Sequence, residues 1–243
     1  LKLAFSKARP AAAKAIVAAY EQHPKFQKNK DDEIDRAVDV ILAAWTFGEF
    51  VNFYRACSDA LSALAQDAAA QACAQLGVTE TSEVFAEAQA AAREWALQRA
   101  VAMAGMKLVD GQLVVDAGAQ WAITEGTVGF LRNAVDQALR NGWTGEQLSE
   151  AINESRAFSD VRAETIADFE TRSADVNANM IAYRKIPKVV GMKWLLSDNP
   201  CERCVANYEQ GYGGIIPITE DWLYPYPVHP NEQCDVAPVV EEG

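Results

Sequence analysis

Three of the five cysteines and one of the two histidines fall close together near the end of the chain, in the order Cys201-x-x-Cys204 and, two dozen residues later, His229-Pro230-Asn231-Glu232-Gln233-Cys234. Thiolate and imidazole are the ligands zinc prefers, and a Cys-x-x-Cys turn places two sulfurs around one tetrahedral ion. Cys201, Cys204, His229 and Cys234 therefore form a candidate zinc set. Four protein ligands leave no position for a reactive water, so the expected role is structural, with metal binding contributing directly to folding of the tail. Glu232 stands in reserve as a carboxylate ligand, although a loop glutamate is expected to be solvated.

Other chemistries use the same residue types. The cysteines could be free thiols. A thioredoxin-like redox pair needs a βαβ setting, and no helix pattern is evident after Cys204. Pro200-Cys201-x-x-Cys204 is half of the zinc deaminase signature, but the other half, a His-x-Glu, is missing, since His23 precedes Pro24 and Lys25. The connecting stretch from Asn207 to Asp221 reads as a loop with little apolar content, needing an outside constraint to hold its shape.

The elements that must position these residues are mostly helical. Hydrophobic residues make up 50% of the 243, enough for a sizeable core. The net charge of −12 argues against a broad electrostatic grip on nucleic acid, which depends on basic residues meeting phosphates. No apolar run is long enough to span a membrane, and Leu1 to Phe5 is too short for a signal peptide. Cys57 and Cys73 sit in alanine-rich helical pattern as small buried residues, so no disulfide framework is expected and a reducing cytoplasm suits synthesis.

Ser6 is placed to cap a first helix through Tyr20, and His23-Pro24 to end it. Ile34, Val38, Ile41, Leu42 and Trp45 recur at helical spacing, as do positions from Phe50 to Leu76, with Gly48 a place to bend and Gly77 a stop. Thr79, Thr81 and Ser82 offer caps for a helix whose face carries Phe85, Ala88, Ala92, Trp95 and Arg99, an aromatic stripe expected to be core. Asp110-Gly111 between apolar residues predicts a short β-hairpin. Residues 118 to 126 read as a connection, followed by a helix through Leu139 that stops at Asn141-Gly142, and Thr144-x-x-Gln147 has capping-box spacing. Phe158-Ser159 opens a long helix with Phe169, Ser173, Val176, Met180 and Tyr183 on one face. Val189 to Trp194 suits a strand leading into the cysteine turn.

In this order, Gly142-Trp143-Thr144-Gly145-Glu146-Gln147-Leu148, Arg162 to Glu170, Asn177, Lys193-Trp194, Asp198, Cys201-x-x-Cys204 and His229-Pro230-Asn231-x-x-Cys234 resemble the phage Mu F-like minor head protein family, the phage head morphogenesis proteins. The resemblance covers roughly residues 125 to 238. It departs from the family pattern at Glu232, where the family's His-Pro-x-Cys-x-Cys has a cysteine, and at Asp168-Phe169, where the family has Arg-Thr.

The resemblance implies a non-enzymatic component of the virion head, assembled in the bacterial cytoplasm. It would act near the portal vertex, with the portal protein or inner capsid shell as partner, during procapsid assembly and DNA packaging or ejection. The fold expected is mainly α: a helical N-terminal region, 1–124, then a C-terminal helical domain, 125–243, ending in a small zinc-clamped α+β tail. Arg162, Glu164 and Glu170 are expected to orient that tail. Two alternatives remain: a zinc-dependent hydrolase or nuclease in which Glu232 moves protons, and an effector or toxin that reuses the module.

Overall fold

The computed structural model describes residues 2–22, 31–43, 47–116, 118, 123–155 and 159–241. Among them are eight helices and five short strands: α1 (Lys2–Gln22), α2 (Asp31–Ala43), α3 (Phe47–Gln75), α4 (Glu83–Met103), β1 (Met106–Val109), β2 (Gln112–Val115), α5 (Ile123–Asn141) and α6 (Gly145–Glu154) come first. The long α7 (Asp160–Lys185) follows, then β3 (Val189–Leu195), α8 (Glu202–Gln210), β4 (Ile215–Pro217) and β5 (Asp235–Val240). The chain is mainly α with a small C-terminal sheet, as expected. No helix among the described residues is long and apolar enough to cross a membrane.

The residues group into two compact units that interleave along the sequence instead of dividing at residue 124. One comprises Leu1–Ser58 and Gln98–Glu164, the other Asp59–Leu97 and Thr165–Gly243. Helices α3, α4 and α7 each contribute residues to both.

In the first unit, α1 packs on α6 and α2 on α5. Ile16, Ile41, Leu131, Val135, Leu148 and Ile152 are buried there, the apolar stripes of amphipathic helices turned inward. The α5–α6 turn forms as its residues dictate. Gly142 takes a left-handed φ of 64°, Trp143 N–H closes on the Ala138 carbonyl at 3.0 Å, and the Thr144 and Gln147 side chains cap each other's backbone N–H at 3.2 and 2.9 Å. The Tyr20 hydroxyl donates to the Trp143 carbonyl at 2.6 Å, pinning α1 to that turn. The predicted hairpin is β1–β2, and Asp110 (φ 51°) with Gly111 (φ 77°) supplies the two left-handed residues its turn requires.

Several boundaries differ from expectation. Helix α1 already runs through Ser6, so that residue is not its cap, and Gly48 lies within α3 without interrupting it. Helix α5 starts at Ile123, inside the expected connection. The readings made for His23-Pro24, Trp45 and Phe158 lie outside the described residues.

In the second unit, the facing surfaces of α3 and α4 are alanine. Ala65, Ala69, Ala72, Ala88, Ala92 and Ala96 are buried, while Phe85 and Trp95 are only half-buried, so of the expected stripe the alanines Ala88 and Ala92 are core and the aromatics are not fully buried. Gln89 Nε2 donates to the Gln66 carbonyl at 2.6 Å, and Ser82 caps α4 as predicted, accepting from Phe85 N–H at 3.2 Å. On α7, Ser173, Val176, Met180 and Tyr183 are buried in the expected steps of three and four. Strand β3 is central in an antiparallel sheet of order β4–β3–β5, with Val189, Gly191, Met192 and Trp194 turned inward. Gly191 is required at its place: a Cβ there would stand 2.7 Å from the Ile216 carbonyl oxygen.

Candidate metal centre

The centre is assembled where the chain leaves β3. After Leu195 a short turn reaches Cys201, which occupies the N-cap of α8 in extended conformation (φ −76°, ψ 165°) with its side chain making no capping hydrogen bond. Cys204 lies three residues on, in the first turn, so both sulfurs lie on one side of the helix start, 3.5 Å apart. A helix thus does follow the Cys-x-x-Cys motif, contrary to the sequence reading. The sheet beside it is antiparallel, so the βαβ setting of a redox pair is not formed.

The other donors arrive on the turn before β5. His229 Nδ1 sits 2.7 Å from the Pro230 carbonyl, which can only accept, so that nitrogen carries a proton and, in the neutral ring, Nε2 is the one with a lone pair. Asn231 adopts a left-handed φ of 62°, which asparagine tolerates, and this reverses the chain so that Glu232 turns inward. Glu232 is 4% exposed, which corrects the expectation of a solvated loop residue. Its two carboxylate oxygens each lie 3.3 Å from Cys204 Sγ, Oε1 accepts from Cys234 N–H at 3.0 Å, and Oε2 is 3.8 Å from His229 Nε2. Cys234 Sγ accepts from Ser197 N–H at 3.4 Å and lies 3.6 Å from Ser197 Oγ.

The four predicted ligands, with Glu232 as a fifth donor, fall in two groups joined through Cys204. They form two overlapping triads, Cys201–Cys204–His229 and Cys204–Glu232–Cys234, each with its ligand atoms within 4.8 Å of one another and Cys204 common to both.

Burial pushes the Cys204 thiol far up, with Cys201, Cys234 and Glu232 adding to the effect. Burial also pushes Cys201 up, but hydrogen bonds from the Cys204 and Arg203 backbone and the Cys204 side chain outweigh it and bring the thiol below its ordinary value. The hydrogen bond to the Pro230 carbonyl raises His229; burial opposes this, and Glu232 and Cys201 add to the rise. A buried carboxylate against a buried thiol is costly without a compensating charge. Three sulfurs, an imidazole and a carboxylate suit a borderline divalent metal ion, and these groups could hold one.

The chain matches no family profile, no curated protein and no solved structure.

The segment between α8 and β5 does not depend on a metal alone for its shape. It holds strand β4, and side chains on two helices, α7 and α8, hydrogen-bond its backbone. Asn207 grips Tyr224 on both sides, accepting from N–H at 2.9 Å and donating to C=O at 2.8 Å. One turn later Gln210 does the same with Leu223 N–H (2.7 Å) and the Asp221 carbonyl (2.8 Å). From α7, Asn177 donates to the Tyr226 carbonyl at 3.0 Å and Arg184 to the Glu220 carbonyl at 3.2 Å. Trp194, Trp222 and Tyr226 form a buried aromatic group, with ring centroids 5.1 and 5.8 Å from Trp194.

Two of the residues expected to orient the tail, Arg162 and Glu164, lie in the first unit. Arg162 donates to Thr127 Oγ1 at 3.0 Å and to the Ile123 carbonyl at 3.1 Å, tying α7 to the start of α5 in the first unit, where Glu164 also lies. Glu170 is buried in the second unit. The orienting cation is Arg172, which reading by sequence missed: it donates to the Tyr226 hydroxyl and to the Cys234 carbonyl. A cavity of about 590 Å³ lies beside the cluster, walled by Leu64, Ala68, Phe169, Arg172, Pro227 and Glu232 among others.

Proposed function

We propose that the cluster holds a structural zinc ion fastening the turn before β5 to the start of α8. On this reading the chain is a phage minor head protein of the Mu F-like head morphogenesis kind. It would act in the virion head near the portal vertex, against the portal protein or inner capsid shell, as a docking piece during procapsid assembly and DNA packaging or ejection. The observation that carries this reading is the convergence of its motif residues. The cysteines and histidine that give the sequence its resemblance to that family, separated by up to 33 positions (201 to 234), meet in one cluster around Cys204. A fully protein-ligated ion leaves no reaction position, which fits a structural part. The charge of −12 favours a basic protein surface over DNA as partner.

Co-expression with the portal protein of the same phage tests the partner. Co-purification that Cys204→Ser abolishes is expected; a chain that never associates with portal or shell, and heads that assemble normally without it, would refute the assignment.

A hydrolase reading draws on one observation, the cavity that reaches Glu232. It requires a metal-bound water, and X-ray absorption showing four protein donors and no water excludes it.

A further inference from the structure

Resting on the metal reading above, we infer that Glu232, and not Cys234, supplies the fourth ligand beside Cys201, Cys204 and His229. The distances connect these four in a chain: Cys201 Sγ to Cys204 Sγ 3.5 Å, Cys204 Sγ to Glu232 3.3 Å, and Glu232 Oε2 to His229 Nε2 3.8 Å. For metal–sulfur bonds of about 2.3 Å and metal–nitrogen or –oxygen bonds of about 2.0–2.1 Å, the edges of a tetrahedron run from roughly 3.3 to 3.8 Å. Pair by pair the ideal edges are about 3.8 Å for S–S, about 3.5 Å for S–O and about 3.3 Å for O–N, and the separations of 3.5, 3.3 and 3.8 Å each lie within about 0.5 Å of their own edge. The remaining contacts of the Cys201–Cys204–His229 triad close it within 4.8 Å.

Glu232 therefore touches two members of that triad. In the grouping of ligand atoms within 4.8 Å, Glu232 and Cys234 alike join the triad members only through Cys204; what separates them is the 3.8 Å approach of Glu232 Oε2 to His229 Nε2, while the Cys234 sulfur is engaged by the backbone and hydroxyl of Ser197. Its contribution is to position: the Cys234 N–H holds Glu232 Oε1 at 3.0 Å, and the Cys234 carbonyl is in turn held by Arg172 and Tyr226. Metal ligands are commonly oriented by such outer hydrogen bonds. An oxygen in place of a third sulfur gives a harder site that releases zinc more readily than three thiolates would.

The test uses the full chain loaded with zinc alone, with X-ray absorption to count sulfurs and chelator competition to measure affinity. The expected result is two sulfurs per ion, with Glu232→Gln weakening zinc by at least about tenfold. Cys234→Ala should keep the ion within a few-fold, with the sulfur count still two. Three sulfurs in the wild type, or a Cys234→Ala chain as impaired as Cys201→Ala, overturns the assignment while leaving a metal clamp in place. Failure of the wild-type chain to bind zinc would overturn the clamp itself. Circular dichroism of each variant separates loss of a ligand from loss of the fold.

Discussion

The Arg172 guanidinium donates to the phenol oxygen of Tyr226 at 2.8 Å, joining the middle of α7 to the segment that carries His229 and Glu232. The same guanidinium reaches the Cys234 carbonyl at 3.2 Å, which the Tyr226 hydroxyl also contacts. One side chain thereby holds both flanks of the candidate metal cluster. Arg172→Met should leave the Tyr226 hydroxyl and the Cys234 carbonyl short of a donor, destabilising the second unit by about 1–3 kcal/mol. Urea unfolding of both proteins measures this, and an unchanged midpoint would show that Arg172 is a surface group without structural weight.

Asn207 makes two hydrogen bonds to the backbone of a single residue, Tyr224, from a fully buried position. Asn207→Asp keeps the size but exchanges the donor for a second acceptor, opposite the Tyr224 carbonyl. Residues around 221 to 226 should then exchange amide hydrogens at least about tenfold faster, the counterpart of roughly 1.4 kcal/mol. Protection equal to wild type would mean the aromatic group of Trp194, Trp222 and Tyr226 holds the segment unaided.

Gly191→Ala should open the edge between β3 and β4, because the added methyl meets the Ile216 carbonyl oxygen at 2.7 Å. Overpacking of this kind costs about 1–3 kcal/mol. Thermal unfolding followed by tryptophan fluorescence should report a lower midpoint, and a stability equal to wild type would disprove the close approach of the two strands.

Burial pushes the Tyr183 phenol up to about 12, with Asp235 and Asp175 adding to the rise. An unfolded chain loses that proton near pH 10. Below about pH 10 both states hold the proton and the stabilisation is fully present; between about 10 and 12 only the folded state does, so stability falls as pH rises, by on the order of 2 kcal/mol in all. Tyr183→Phe should flatten its share of that decline in denaturant titrations at alkaline pH. An identical slope in the variant would mean that the phenol ionises as freely folded as unfolded.

Much of the fold is legible in the sequence where local chemistry is sufficient. The Asp110-Gly111 turn, the Thr144/Gln147 box, the stop at Gly142 and the buried face of α7 each depend on residues within a turn of one another. The remainder depends on partners far apart in the chain. Alanines form the buried line of α3 and α4, as the alanine-rich stretch of α3 suggests, but the half-burial of Phe85 and Trp95 depends on what packs around them. Helix α8 was hidden by its polarity, yet Asn207 and Gln210, three residues apart, lie on one face and both grip the following backbone. The cysteines and histidine of the site were readable from type and spacing. The inward turn of Glu232 was not, since it follows from the left-handed Asn231 and from the Cys234 N–H that receives the carboxylate.

Hydrogen exchange of the full chain, with zinc and with chelator, tests the metal-fastened tail most directly. Zinc should slow exchange selectively around residues 197 to 204 and 228 to 235, leaving α1, α5 and α6 unchanged. Equal exchange in both conditions would contradict a metal ion as the fastening between α8 and the turn that carries His229 and Glu232.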